Sequence, residues 1–209
     1  MKIIKLSDTN HKKIINESIE VLSSGGLVIY PTETCYGIAA DATNQKAVDK
    51  LLLYKRKRQG KAILIAVKDK EMAKEYVKIN EIAESIYDNY LPGPISVVSK
   101  SKGKVAKGVE AEDKTLGIRI PDYDLILKLI QKFKKPITST SANASYKKVP
   151  YSIDDILDNI SNKQKKLIDL IIDAGELPKN KPSTVINTTL NEIQILREGD
   201  VNLKSPRVI

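Results

Sequence analysis

The stretch PTETCYG, Pro31 to Gly37, sets the chain's only cysteine among hydroxyls and one carboxylate, where a lone thiol raises the question of covalent chemistry. A thiol with an ordinary pKa of about 8.5 is only a few per cent ionised at neutral pH and needs a base or a strong positive field. The only histidine is His11, at the start of an expected helix with basic neighbours. Cys35 is therefore expected to be a small packed residue behind the loop. One cysteine and one histidine are too few for a tetrahedral metal set of the Cys/His kind.

Other segments concentrate groups suited to anions. KRKRQGK (55–61) carries five cations in seven residues between an expected helix and an expected strand. In TLGIRIP (115–121), Arg119 lies between Ile118 and Ile120, so strand alternation turns it away from the face those isoleucines take, toward solvent or a pocket. TSTSAN (138–143) ends an expected strand with four consecutive hydroxyls and then an amide, groups that hydrogen-bond phosphates and bases where ligands of open α/β sheets bind, at carboxyl strand ends. Ser183 and Arg197 also fall at strand ends. Neither G-x-x-x-x-G-K-[ST] nor G-x-G-x-x-G occurs, so an anionic nucleotide would be held by side chains and not by a glycine-rich cradle.

The elements that must position these groups alternate along the whole chain. Ile14, Ile15, Ile19 and Leu22 recur at helical spacing and are stopped by Gly25-Gly26, after which LVIY (27–30) is β-rich. Helices are expected over 45–54, 79–91 and 123–133, and from about Ser152, which caps that helix with Asp154 and Asp155 in its first turn. Strands are expected over 62–67, 95–99, 116–120, 136–141, 168–173, 183–187 and 192–196. Mixed helices and strands imply α/β, and the closely spaced later strands imply a mixed sheet.

The 209 residues, 41% hydrophobic, suffice for one domain, expected to span 1–209. The lone cysteine allows no intramolecular disulfide, the N-terminus MKIIKLSDTNHKK lacks a leader pattern, and the apolar runs are far shorter than the roughly 20 residues that span a bilayer. A cytoplasmic protein without membrane association is expected. The formal charge of +9 favours anionic partners, although much of it lies in helical runs such as QKFKK (131–135). Aromatics at 5% with no Trp leave little for base-stacking platforms.

In order, PTETCYG, the basic K-x-[KR] element, PGPISVV, LGIRIP, TSTSAN, PSTVIN and ILREG resemble the YrdC-like family of threonylcarbamoyl-AMP synthases, over residues from about 20 to 200. The resemblance implies a twisted mixed open sheet with helices on both faces around a basic cavity. It implies the reaction of L-threonine, bicarbonate and ATP to threonylcarbamoyl-AMP and pyrophosphate, with Mg²⁺ accompanying ATP. The product would feed a downstream threonylcarbamoyl transferase complex acting on tRNA. By resemblance, Thr32, Arg119, Ser139 and Ser183 hold threonine, with Arg119 on its carboxylate. Lys55, Arg58, Thr115, Ser141, Asn143, Ser152 and Arg197 take the nucleotide, and Lys55, Lys57 and Arg58 meet the reacting phosphates.

There are departures from the family pattern. Lys57 stands at the family's arginine position with Arg58 beside it where proline is common, so either could carry that role. Ala66 stands where longer members often carry histidine, Tyr146 where glycine is common, and Cys35 where valine is common; Tyr36 is a candidate cavity wall. By resemblance the short, single-domain type of the family is expected. Two other readings are a non-catalytic RNA-binding module and carbamoyl transfer as in hydrogenase-maturation proteins, whose acylphosphatase-like and zinc-finger-like parts have no counterpart here.

Overall fold

The computed structural model describes residues 1–56, 62–145, 147–190, 192–199 and 201. Strands β1 (Lys2–Lys5), β2 (Val28–Tyr30), β3 (Gly37–Ala39), β4 (Leu64–Ala66), β5 (Val77–Lys78), β6 (Ile95–Ser101), β7 (Thr115–Arg119), β8 (Ile137–Ser141), β9 (Leu170–Asp173), β10 (Thr184–Asn187) and β11 (Gln194–Arg197) form one mixed sheet. Its order is β1-β9-β2-β3-β8-β4-β7-β6-β10-β11, with β5 paired to β6. The helices are α1 (His11–Ser23), α2 (Gln45–Lys55), α3 (Lys70–Tyr76), α4 (Glu81–Tyr90), α5 (Asp124–Phe133), α6 (Ile153–Leu157) and α7 (Asn162–Lys165).

Local chemistry sets these boundaries. Helix α1 buries Ile14, Ile15, Ser18 and Leu22 on one stripe, packs on α5, and is followed by Gly25 at φ +80°, a left-handed conformation natural to glycine. Asn44 caps α2 by accepting from the amides of Lys46 and Ala47. The helix expected from Ser152 is short: Ser152 and Asp155 close a capping box over α6, and a second box, Ser161 with Gln164, opens α7. Strands β2 and β9 are buried along nearly their whole length, which accounts for their continuous apolar sequences.

Sequence alone misses β1, whose KIIK has charged ends on a sheet edge, and β3, three residues with no alternation to read. It also misses α3, β5 and α7, all too short for a periodic signal.

Strand direction corrects one expectation. β2, β8, β6 and β10 run one way and β3, β4, β7 and β11 the other, so the central strands share no common carboxyl edge. The polar residues instead meet on a face of the sheet. Gly37 opposes Ser141, Leu64 opposes Ser139, and Ala66 opposes both Ile137 and Arg119. Directly opposed residues share a face, as do alternate residues along a strand. Gly37, Ser141, Ser139, Leu64, Gly117 and Arg119 therefore all face the same way.

Candidate active site

That face carries a cavity of about 290 Å³ lined by Tyr30, Thr32, Thr34, Cys35, Gly37, Ala62, Leu64, Arg119, Ser139, Thr140, Ser141, Val149, Pro182, Ser183 and Arg197. Gly37 in its lining, and Gly117 on the same face of the sheet, are glycines over which side chains already lie. A Cβ on Gly37 would sit 2.9 Å from Cζ of Tyr30, and one on Gly117 would collide with the Leu64 side chain.

The PTETCYG loop is organised by Thr32. Its hydroxyl accepts from the amides of Thr34 and Cys35 at 3.1 and 3.2 Å and donates to the Cys35 carbonyl at 2.7 Å. Cys35 and Gly37 face the cavity, so the residue between them does not. The Tyr36 hydroxyl donates to the Gly175 carbonyl and accepts from the Ala174 amide, both at 2.8 Å, and Tyr36 is not a wall of this cavity. Burial pushes the Cys35 thiol up, against the opposing pull of Arg119, so it stays protonated and un-nucleophilic at neutral pH.

Two arginines reach the cavity from different strands. Arg119, almost wholly buried at the end of β7, pairs with Glu33 at 2.8 Å. Arg197, at the end of β11, donates through Nε to the Ser183 carbonyl and through Nη2 to the Ser183 hydroxyl, both at 2.9 Å. That hydroxyl in turn shares a hydrogen bond with Ser96 at 3.0 Å. Partial burial, and after it the like charge of Arg119, draws Arg197 below the ordinary guanidinium pKa, and both arginines line the one cavity. Gly199 lets the chain after Arg197 lie flat on β10, because a Cβ there would sit 2.3 Å from the Pro182 carbonyl oxygen.

The remaining expected residues divide. Lys55, the last residue of α2, is buried and donates to the carbonyls of Ser141 and Asn143. Asn143 accepts from the Ser141 hydroxyl and donates to the Lys147 carbonyl, which ties the loop after β8 to itself. Thr115 shares a face with Arg119 but lies at the far end of β7, about 13 Å along the strand, with its hydroxyl on Asp113. Ser152 is occupied as the α6 cap and lines a neighbouring cavity of about 750 Å³ with Tyr151, Asp173 and Lys179. Ala66 is buried, and it is Leu64, two residues earlier, that reaches the cavity. Lys57, Arg58 and Tyr146 lie outside the described residues. Sequence reasoning passed over Glu33 and Tyr30. Glu33 is the one carboxylate in the motif, but its partner is 86 positions away. No described group of three or more His, Cys, Asp or Glu side chains could hold a metal ion.

A buried arginine, Arg119, and a more exposed one, Arg197, line one cavity among hydroxyls on one face of a mixed open sheet, which defines a pocket for small anionic ligands. The chain belongs to the Sua5/YciO/YrdC family, described as "Telomere recombination", which it matches over residues 20–199. A protein of Methanocaldococcus jannaschii named "Putative threonylcarbamoyl-AMP synthase" is 36% identical over 204 residues, covering 98% of this chain and 94% of that one. The crystal structure of Pyrococcus abyssi Sua5 complexed with L-threonine superposes with a TM-score of 0.87 at 30% identity over 95% of this chain, which spans 58% of that one. Escherichia coli YciO, at 24% identity and a TM-score of 0.83, shares the fold over 97% of both chains. No helix among the described residues is long and apolar enough to cross a membrane.

Proposed function

We propose that this chain is a threonylcarbamoyl-AMP synthase, converting L-threonine, bicarbonate and ATP to threonylcarbamoyl-AMP and pyrophosphate, and supplying a transferase system that modifies tRNA. The observation that carries the reading is the convergence of Arg119 and Arg197 on one hydroxyl-lined cavity. It is supported by relatives that bear the synthase name and by a similar structure complexed with L-threonine.

The residues suit this chemistry. Arg119 receives the amino-acid carboxylate, flanked by the hydroxyls of Thr32, Ser139 and Ser183. Arg197, Ser141 and the 55–61 cations take the nucleotide and its phosphates. The threonine amine captures bicarbonate as a carbamate, whose oxygen attacks the α-phosphorus while pyrophosphate leaves. No protein nucleophile is needed, which agrees with a buried, protonated Cys35. The task is to hold two anions together. A cation 4 Å from an anion contributes about 1 kcal/mol in bulk water but about 4 at an effective dielectric near 20. Mg²⁺ enters with the triphosphate as part of the substrate, since the described residues offer no carboxylate cage of their own.

The test is threonine- and bicarbonate-dependent release of pyrophosphate from ATP; folded protein that releases none overturns the assignment. An RNA-binding module without catalysis would instead show RNA affinity that falls steeply with salt and ignores threonine.

A further inference from the structure

Behind the cavity wall, Arg119 is held on one side only. Its Nη2 donates to Glu33 Oε1 at 2.8 Å and to Thr34 Oγ1 at 2.9 Å. Its Nε and the Glu33 Oε2 are both buried with no partner among the described residues. Nη1 has no described partner either, but it is not among the buried unpartnered atoms, which makes it the guanidinium nitrogen left open to a ligand. Glu33 is held in its turn, because Asn180 Nδ2 donates to its backbone carbonyl at 2.8 Å.

Glu33 does not line the cavity that Arg119 enters. It borders a separate cavity on the other side of the loop, of about 770 Å³, shared with Asp8, His11 and Asp122. Its described link to the cavity of Arg119 is therefore the arginine it grips. An arginine side chain carries substantial rotamer entropy, and ordering it before the ligand arrives lowers what binding must supply.

We propose that Glu33 is a positioning residue: by gripping Nη2 it presents the Nη1 edge of Arg119 to the cavity and sets the angle at which an amino-acid carboxylate is received. The carboxylate half of this statement rests on the synthase reading; the restraint on Arg119 does not. The side-chain oxygen at position 33 is what the grip requires, so Glu33→Gln, which keeps an acceptor for Nη2, should hold Arg119 where Glu33→Ala cannot.

The first measurement needs no substrate. In ¹⁵N spectra of the arginine side chains, with Arg119 assigned from its loss in Arg119→Lys, the wild type should show separate Nη signals from slowed guanidinium rotation. Glu33→Ala should merge them and Glu33→Gln should keep them apart; separate signals in Glu33→Ala overturn the inference, whatever the enzyme does. The second measurement is steady-state kinetics of the full chain. Glu33→Ala should raise the threonine KM about tenfold, leave the ATP KM within twofold, and reduce the preference for L-threonine over L-threoninol, which lacks the carboxylate. Glu33→Gln should recover most of each loss. An unchanged threonine KM and preference in Glu33→Ala overturn the positioning role. Should Glu33→Ala fail to fold, Thr34→Ala, which removes the other Nη2 acceptor, must produce the same threonine-specific shift in weaker form, and its failure to do so overturns the inference equally. A wild type with a held Arg119 and no threonine-dependent turnover overturns the synthase reading, and with it only the carboxylate half.

Discussion

Lys55 Nζ lies between the carbonyl oxygens of Ser141 and Asn143, at 2.8 and 2.7 Å, so that α2 ends by gripping the loop that leaves β8. The same turn of helix adds a hydrogen bond from the Tyr54 hydroxyl to the Ala142 carbonyl, and the Lys55 carbonyl accepts from the Ser145 hydroxyl at 2.8 Å. Three consecutive carbonyls thus turn toward α2. Lys55→Met strands two of them, and at about 1–3 kcal/mol for each unmet buried group the protein should lose about 2–6 kcal/mol of stability. The ATP KM should rise about tenfold, consistent with a disordered Ser141–Asn143 loop. Denaturant unfolding and ATP titration check the two effects separately.

Removing Arg119 carries a structural cost as well as a catalytic one. Arg119→Ala should abolish threonine-dependent turnover, but it also leaves the largely buried Glu33 carboxylate without its cation, which should lower stability by about 3 kcal/mol. The double variant Arg119→Met/Glu33→Gln should be inactive yet more stable than Arg119→Ala. Thermal melts beside pyrophosphate release decide it, and equal stability of the two variants would contradict the pairing.

Cys35 should prove dispensable. Cys35→Val should keep near-normal turnover, because the thiol lies in the cavity wall and burial keeps it protonated. For the same reason alkylation by iodoacetamide should stay slow at pH 8, where an exposed thiol reacts readily, and should accelerate on unfolding. Loss of activity in a folded Cys35→Val protein would restore the case for a nucleophile.

Alkaline stability follows from the tyrosines. Burial raises Tyr30 and Tyr36 to about 12, while an unfolded tyrosine ionises near 10. Between those values the unfolded chain binds fewer protons than the folded one, so the stabilisation is complete below pH 10 and is lost as the pH climbs toward 12. Phenolate absorbance at pH 11 should therefore fall well short of that expected from nine tyrosines and appear in full only on unfolding.

Gly199→Ala should be more disruptive than Gly117→Ala. The first drives a methyl into the backbone at Pro182 and Thr184, whereas the second meets the end of the Leu64 side chain, which can swing aside. Gly199→Ala should pull Arg197 from Ser183 and raise the ATP KM with less effect on threonine. Parallel KM measurements on the two variants test the order.

The alternation around Arg119 was readable because Ile118 and Ile120 are apolar on both sides of it, so the buried cation stood out against its strand. The hydroxyl run of β8 was readable for its composition but not for its use. Thr138 turns to the opposite face, accepting from the Ala40 amide and donating to the Ile38 carbonyl, and only the pairing register shows this. Lys55 read as one cation in a basic run, since nothing in a sequence reports that carbonyls of a distant loop will surround an ammonium. Ser152 showed its cap signature in sequence, and that duty occupies the hydroxyl. The grip of Glu33 on Arg119 joins two motifs distant in the chain, and no local pattern encodes it.

Ser139 and Ser141 lie two residues apart on one strand, about 7 Å, facing the same cavity. In the proposed reaction one stands on the amino-acid side and the other on the nucleotide side, so the pleat of β8 serves as a ruler between the two reactants. Replacing either serine changes what is held at one mark. Inserting or deleting a single residue in β8 would instead turn the graduated edge over, sending both hydroxyls to the opposite face while leaving the composition of the segment almost unaltered.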